Sequence, residues 1–153
     1  MNAYPYNPNV VNPINQNNMV LNILTLLVAG EPREWNDLNG PIPSGAPIEM
    51  VVEVQFSGEY DSGYFPPENC PIADAPVFVA LNSKKFVSKS SPGVTLTGVG
   101  NGNFITNAVG QFNLAFSIQG PIGGIAVFTI TTGGNTGGNT YAWQLTLEAA
   151  AVV

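Results

Sequence analysis

An all-β sandwich is the fold class that the sequence predicts, and three observations predict it. Only 9% of residues are charged, while Gly (17) and Pro (13) are abundant, so the helix-favouring Lys, Arg and Glu are scarce. Several stretches alternate apolar and polar residues with a period of two, which marks half-buried strands. Glycine-rich turns separate those stretches at the short spacing of a sandwich.

The elements follow in order. "IEMVVEVQFS" places Ile48, Met50, Val52, Val54 and Phe56 on one face and Glu49, Val51, Glu53, Gln55 and Ser57 on the other. "APVFVAL" points Val77, Val79 and Leu81 inward, and weaker strands are expected at 85–88, 94–98 and 103–106. "GQFNLAFSIQG" turns Phe112, Leu114, Phe116 and Ile118 to the core, and "GIAVFTITT" adds Ala126, Phe128 and Ile130. "TYAWQLTLE" contributes Tyr141, Trp143, Leu145 and Leu147. The turns "QGPIGG" and "TGGNTGGN" join the last three strands, their glycines allowing positive φ.

Upstream of this body the character changes. Residues 1–18 hold three prolines and seven asparagines, residues that resist regular pairing. Met19–Ala29 is then almost wholly apolar. Read as an extended chain, it shows Met19, Leu21, Ile23 and Leu27 on one side and Val20, Leu24, Leu26 and Val28 on the other. A strand apolar on both faces must be covered on both. Three readings are open: the first strand of the chain's own sandwich, a strand that docks into a neighbouring copy's sheet, or a short buried helix. The expected organisation is an N-terminal extension at 1–30, a linker at 31–46 and a sandwich at 47–153.

"PIADAPVFVALNSKKFVSKSSPGVTLTGVGNGNFITNAVGQFNLAFSIQGPIGGIAVFTITTGG" resembles the bacterial immunoglobulin-like domains of invasin and intimin stalks. The Pro-x-x-x-Ala-Pro-Val lead of "PIADAPVFVAL" carries the likeness, together with "ITNAVGQFNLAFS" and the following "IAVFTIT". The likeness covers about residues 71–133, with Tyr141–Glu148 as a closing strand. It implies an immunoglobulin-like Greek-key or jelly-roll β-sandwich, used as a spacer, adhesin or fibre module, with no catalytic residues to carry over.

Charge narrows the functions. The net charge is −6, with Arg33, Lys84, Lys85 and Lys89 as the only bases, so binding nucleic acid by neutralising phosphates is disfavoured. No apolar run reaches the length of about 20 residues that spans a bilayer, so membrane insertion is not expected. There is no His, which removes the commonest general base. Glu49 and Glu53 share an outward strand face and read as solvated. The loop acids Glu59, Asp61, Glu68 and Asp74 lack the spacing of a Ca²⁺ loop, so no cofactor is expected, with Ca²⁺ bound by this oxygen-rich loop as the alternative. Cys70 has no second cysteine to pair with.

These features favour a non-enzymatic structural subunit, one that polymerises with identical copies into an extracellular fibre or pilus-like appendage on a cell or spore surface. The expected assembly residues are Met19, Val20, Leu21, Ile23, Leu24, Leu26, Leu27 and Val28, donated as a strand to the neighbour. The alternative is a phage or virus decoration protein or a glycan-binding adhesin. Its contact with a glycan or surface receptor would use Tyr60, Tyr64 and Phe65.

Overall fold

The computed structural model describes residues 3–6, 18–34, 39–57, 69–82, 88–133 and 139–149. Among these the elements are β1 (Tyr4–Pro5), β2 (Met19–Val28), β3 (Glu31–Pro32), β4 (Asn39–Pro43), β5 (Ile48–Phe56), β6 (Ile72–Ala73), β7 (Pro76–Leu81), β8 (Thr95–Thr97), β9 (Asn103–Ile105), β10 (Gln111–Gln119), β11 (Ile125–Thr132) and β12 (Thr140–Glu148). They form two five-stranded sheets, β3-β2-β5-β10-β8 and β4-β12-β11-β7-β9, and a small parallel pair, β1-β6. The chain crosses repeatedly between the two sheets, and most pairs are antiparallel. This is the all-β sandwich class that the alternation predicts.

The predicted inward faces are the core. Ile48, Met50, Val52, Val54 and Phe56 are buried, and so are Phe112, Leu114, Phe116 and Ile118 opposite Ala126, Phe128 and Ile130. Phe116 stacks on Phe128 across the sheets with centroids 4.7 Å apart, and Phe128 meets Trp143 at 5.8 Å. Such pairs add specific geometry to the area that they bury. β11 lies between β12 and β7, and its other face is buried too, through Val127, Thr129 and Thr131. The hydroxyl of Thr129 donates to the Ala80 carbonyl at 2.9 Å, and that of Thr131 shares a bond with Thr140 at 3.1 Å. Their polar atoms therefore stay satisfied away from water.

The expected division of the N-terminal third is corrected. Met19–Val28 is not an arm separate from the body: it is β2, antiparallel to β5 of its own chain along its whole length. Tyr4 and Pro5 pair with Ile72 and Ala73. The supposed linker supplies β3 against the end of β2, and β4, which runs parallel to β12. Propensity hid β4, because Pro41 and Pro43 argue against a central strand but are tolerated at an edge.

The two-sided alternation of β2 is corrected as well. Pairing slips between Ile23 and Thr25, leaving Leu24 as the extra residue of a bulge. Past it the faces exchange, so Leu26 and Val28 join Met19, Leu21 and Ile23 opposite the buried residues of β5. Val20, Asn22, Thr25 and Leu27 face outward with Gln55, Glu53, Val51 and Glu49. A one-residue slip moves every later side chain to the other face. The predicted strands at 94–98 and 103–106 are β8 and β9, and the one at 85–88 lies outside the described residues.

Tight approaches fix the turns. Gly102 (φ +84°) and Gly110 (φ +82°) take the left-handed conformation that glycine adopts freely. A Cβ on Gly102 would lie 2.4 Å from the Val79 carbonyl oxygen, and one on Gly110 2.6 Å from the Pro71 ring. Nearby, the buried Thr106 hydroxyl donates to the Ile72 carbonyl at 2.7 Å and accepts from the Ala75 amide at 2.8 Å.

Candidate assembly site

Among the described residues the two sheets end in four edges, and three of these carry devices that discourage pairing. β4 contains Pro41 and Pro43, while β8 and β9 are three residues each. Prolines and short length are recognised edge protection. The β2 edge differs. β3 pairs only with Leu27 and Val28, and the Arg33 amide reaches the Leu26 carbonyl at 3.0 Å. From Met19 to Thr25 the strand has β5 on one side and, among the described residues, no strand on the other. Its ten residues carry no charge. The bulge at Leu24 is its one protective feature.

The bulge lies on one flank of the sandwich. A cleft of about 480 Å³ lies there, lined by Leu21, Ile23 and Leu26 of β2, by Tyr141 and Trp143 of β12, and by Arg33 and Glu34. Leu21, Ile23 and Tyr141 point toward the interior but are only half-buried, because the cleft faces them. Leu24 is exposed. The Arg33 guanidinium donates to the Pro41 carbonyl, which ties the end of β3 to the opposite sheet. The start of β2 is tied likewise, since the Asn139 amide donates to the Met19 carbonyl at 2.7 Å.

The predicted assembly residues thus form one strand, with two roles. Met19, Leu26 and Val28 are buried core. Leu21 and Ile23 line the cleft, and Val20, Leu24 and Leu27 meet the outside to differing degrees. The partners across the cleft, Tyr141, Trp143 and Arg33, are not among the expected site residues. The signal for two of them was present, as aromatic residues on a strand face expected to be inward. Tyr60, Tyr64 and Phe65, the predicted ligand loop, lie outside the described residues, as do Glu59, Asp61 and Glu68.

Glu53 faces outward on β5 and accepts hydrogen bonds from Gln55 Nε2 at 2.8 Å and Gln111 Nε2 at 3.2 Å. Among the described residues no cluster of Cys, Asp and Glu could hold a metal ion. The Cys70 thiol is buried, and desolvation raises its pKa above the ordinary 9.0, opposed by a hydrogen bond from the Tyr4 backbone.

No protein-family model and no curated protein matches the chain. Among solved structures, the adhesin InvE of Yersinia pseudotuberculosis is similar, with a TM-score of 0.46 and 13% identity. That similarity covers 88% of this chain and 33% of the adhesin chain, so this chain spans about a third of the adhesin's length.

Proposed function

We propose that this chain is the structural subunit of a self-assembling extracellular fibre or pilus-like appendage, and that β2 is the strand exchanged between copies. The observation that supports this is the position of β2: it lies at a sheet edge, and among the described residues only β5 pairs with most of its length. Exchange would move Met19–Val28 onto the β5 of a neighbour in the same register. Every side-chain contact would be kept, and only the chain that supplies it would change. Such swapping is a low-cost route to association.

An exchanged strand brings its own burial with it. Met19, Leu26 and Val28 each gain about 1.5–3 kcal/mol when buried, in the parent subunit or in the next. The penalty is confined to the connections on either side of the strand. A head-to-tail exchange does not close on itself, so it grows into a filament. The edge beside the cleft remains open in every subunit.

The test is an engineered disulfide between Val20→Cys and Gln55→Cys, which are direct partners across β2 and β5, in a Cys70→Ser background. After assembly and oxidation, non-reducing gels should show a ladder of covalently linked chains. A single band of cross-linked monomer from assembled material would overturn strand exchange.

A further inference from the structure

Asn–Gly occurs twice in the chain, at Asn39–Gly40 and Asn101–Gly102. In this dipeptide the asparagine side chain is open to attack by the next backbone nitrogen, because glycine has no Cβ to hinder the approach. The first pair lies within β4, where it is partnered by Gln144 and Leu145 of β12. The second lies in the turn between β8 and β9, with Asn101 exposed to solvent and Gly102 buried.

The turn holds both reacting groups. The Gly102 amide donates to the Val99 carbonyl at 2.9 Å, and Asn101 Oδ1 accepts from the Asn103 amide at 3.0 Å. The Gly102 carbonyl accepts in turn from the Val79 amide at 2.8 Å. A Cβ on Gly102 would lie 2.4 Å from the Val79 carbonyl oxygen and 3.0 Å from the Phe78 ring, so this glycine sits in a slot against β7. For its nitrogen to reach Cγ of Asn101, the planar peptide unit between the two residues must turn as a whole. That rotation breaks the bond to Val99 and lifts Gly102 from the slot.

We propose that Asn101 is a self-modification site guarded by the fold, one that deamidates only when the turn between β8 and β9 opens. In the open turn the Gly102 nitrogen loses its proton to solvent base and attacks Cγ of Asn101. The N–Cγ bond forms, the Cγ–Nδ2 bond breaks, and the amide nitrogen takes up a proton from water and leaves as ammonia. Water then cleaves one of the two C–N bonds of the resulting succinimide. Cleavage at Cγ gives aspartate at this position, which keeps the chain geometry and an oxygen for the Asn103 amide. Cleavage at the main-chain carbonyl gives isoaspartate, whose backbone is one carbon longer and carries Gly102 out of its slot. β9 begins at the next residue, and its Asn103, Phe104 and Ile105 pair with Phe78, Val77 and Pro76. The isoaspartate chain therefore loses that pairing and bares the edge of β7.

The experiment incubates the full chain at mildly alkaline pH, native and in guanidinium chloride, and follows Asn101 by peptide mapping with mass spectrometry. The native chain should deamidate there at least about tenfold more slowly than the denatured one, since the reaction waits for a local opening. Phe78→Ala removes the ring packed on Gly102 and leaves the Asn–Gly sequence intact, so it should raise the native rate about threefold or more, while the distant Met19→Ala should leave it within about twofold. In the refolded isoaspartate chain, separated by reversed-phase chromatography, hydrogen exchange at the Val79 amide should quicken. Equal rates in the native and denatured chains, or equal acceleration by the two variants, would overturn the local guard. An unmodified Asn101 in the denatured chain would overturn the site, and unchanged exchange at Val79 would overturn the loss of pairing.

Discussion

The carbonyl of Met19, the first residue of β2, accepts a 2.7 Å hydrogen bond from the side-chain amide of Asn139, which stands just before β12 in the other sheet. The hydroxyl of Thr132, at the end of β11, points to the same oxygen from 3.4 Å. One carbonyl at the start of one sheet is thus held by the connection between two strands of the facing sheet. The N-terminal strand is clamped to the body through its backbone as well as through its core side chains.

Replacing Asn139 with Ala should therefore loosen β2 without altering the core. The expected loss is about 1 kcal/mol, the usual net value of one such bond, read as a lower midpoint in urea with an unchanged slope. Hydrogen exchange at the amides of β2 should quicken more than at those of β10. Equal effects on both strands would show that the clamp is not local to β2.

Deleting residues 1–29 should leave a body that does not fold alone, because β5 loses its neighbour and Phe56, Met50 and Ile48 lose their cross-strand partners Met19, Leu26 and Val28. Circular dichroism of the truncated chain should lack the sheet signal, and a synthetic peptide of residues 18–29 should restore it. The milder Met19→Ala, at a buried site, should cost about 2–5 kcal/mol. A truncated body that is folded and soluble without peptide would show β2 to be dispensable to its own sandwich.

Thr106→Val keeps the shape of the side chain but removes both hydrogen bonds of its hydroxyl, leaving the Ile72 carbonyl and the Ala75 amide without that partner. Leaving buried polar groups unpaired costs about 1–3 kcal/mol each, so chemical denaturation should show a loss of at least about 2 kcal/mol. Thr106→Ser, which retains the hydroxyl, should lose clearly less.

Gly102→Ala combines a left-handed backbone with a Cβ placed 2.4 Å from a backbone oxygen. The expected penalty exceeds about 1 kcal/mol. Gly30 has a similar φ of +80° but open space around it, so Gly30→Ala should be the cheaper change by thermal melting.

Burial raises the Cys70 pKa, and the sign of its effect on stability follows. The folded state keeps the proton to a higher pH than the unfolded chain does. The contribution is fully present below the unfolded thiol's pKa and is lost as pH rises through the folded value. The native thiol should resist alkylation at pH 8 and react quickly once denaturant is added. Fast alkylation of the native protein would contradict the burial.

The strands of the core were legible because burial on one face writes a period of two into β5, β7, β10 and β12. Those that escaped notice lack that pattern for physical reasons. β4 is an edge strand spelled with prolines, and β1, β3 and β6 are two residues each, too short to show any period. The apolar run at 19–28 is plain in the sequence, but strict alternation misplaces its faces after Ile23, since a bulge leaves no mark in composition. A strand needs a partner edge, and sequence alone does not say which copy supplies it. The cleft was invisible because it arises where Leu21 and Tyr141, distant in sequence, fail to close on one another.

The central claim is that copies of this chain build a filament. Negative-stain electron microscopy of the purified full-length chain, over a range of concentrations, tests it most directly. Extended filaments of uniform width, giving way to monomers on dilution below a threshold, are the predicted result. Isolated 16.1 kDa particles at every concentration, with no filament in any field, would contradict it.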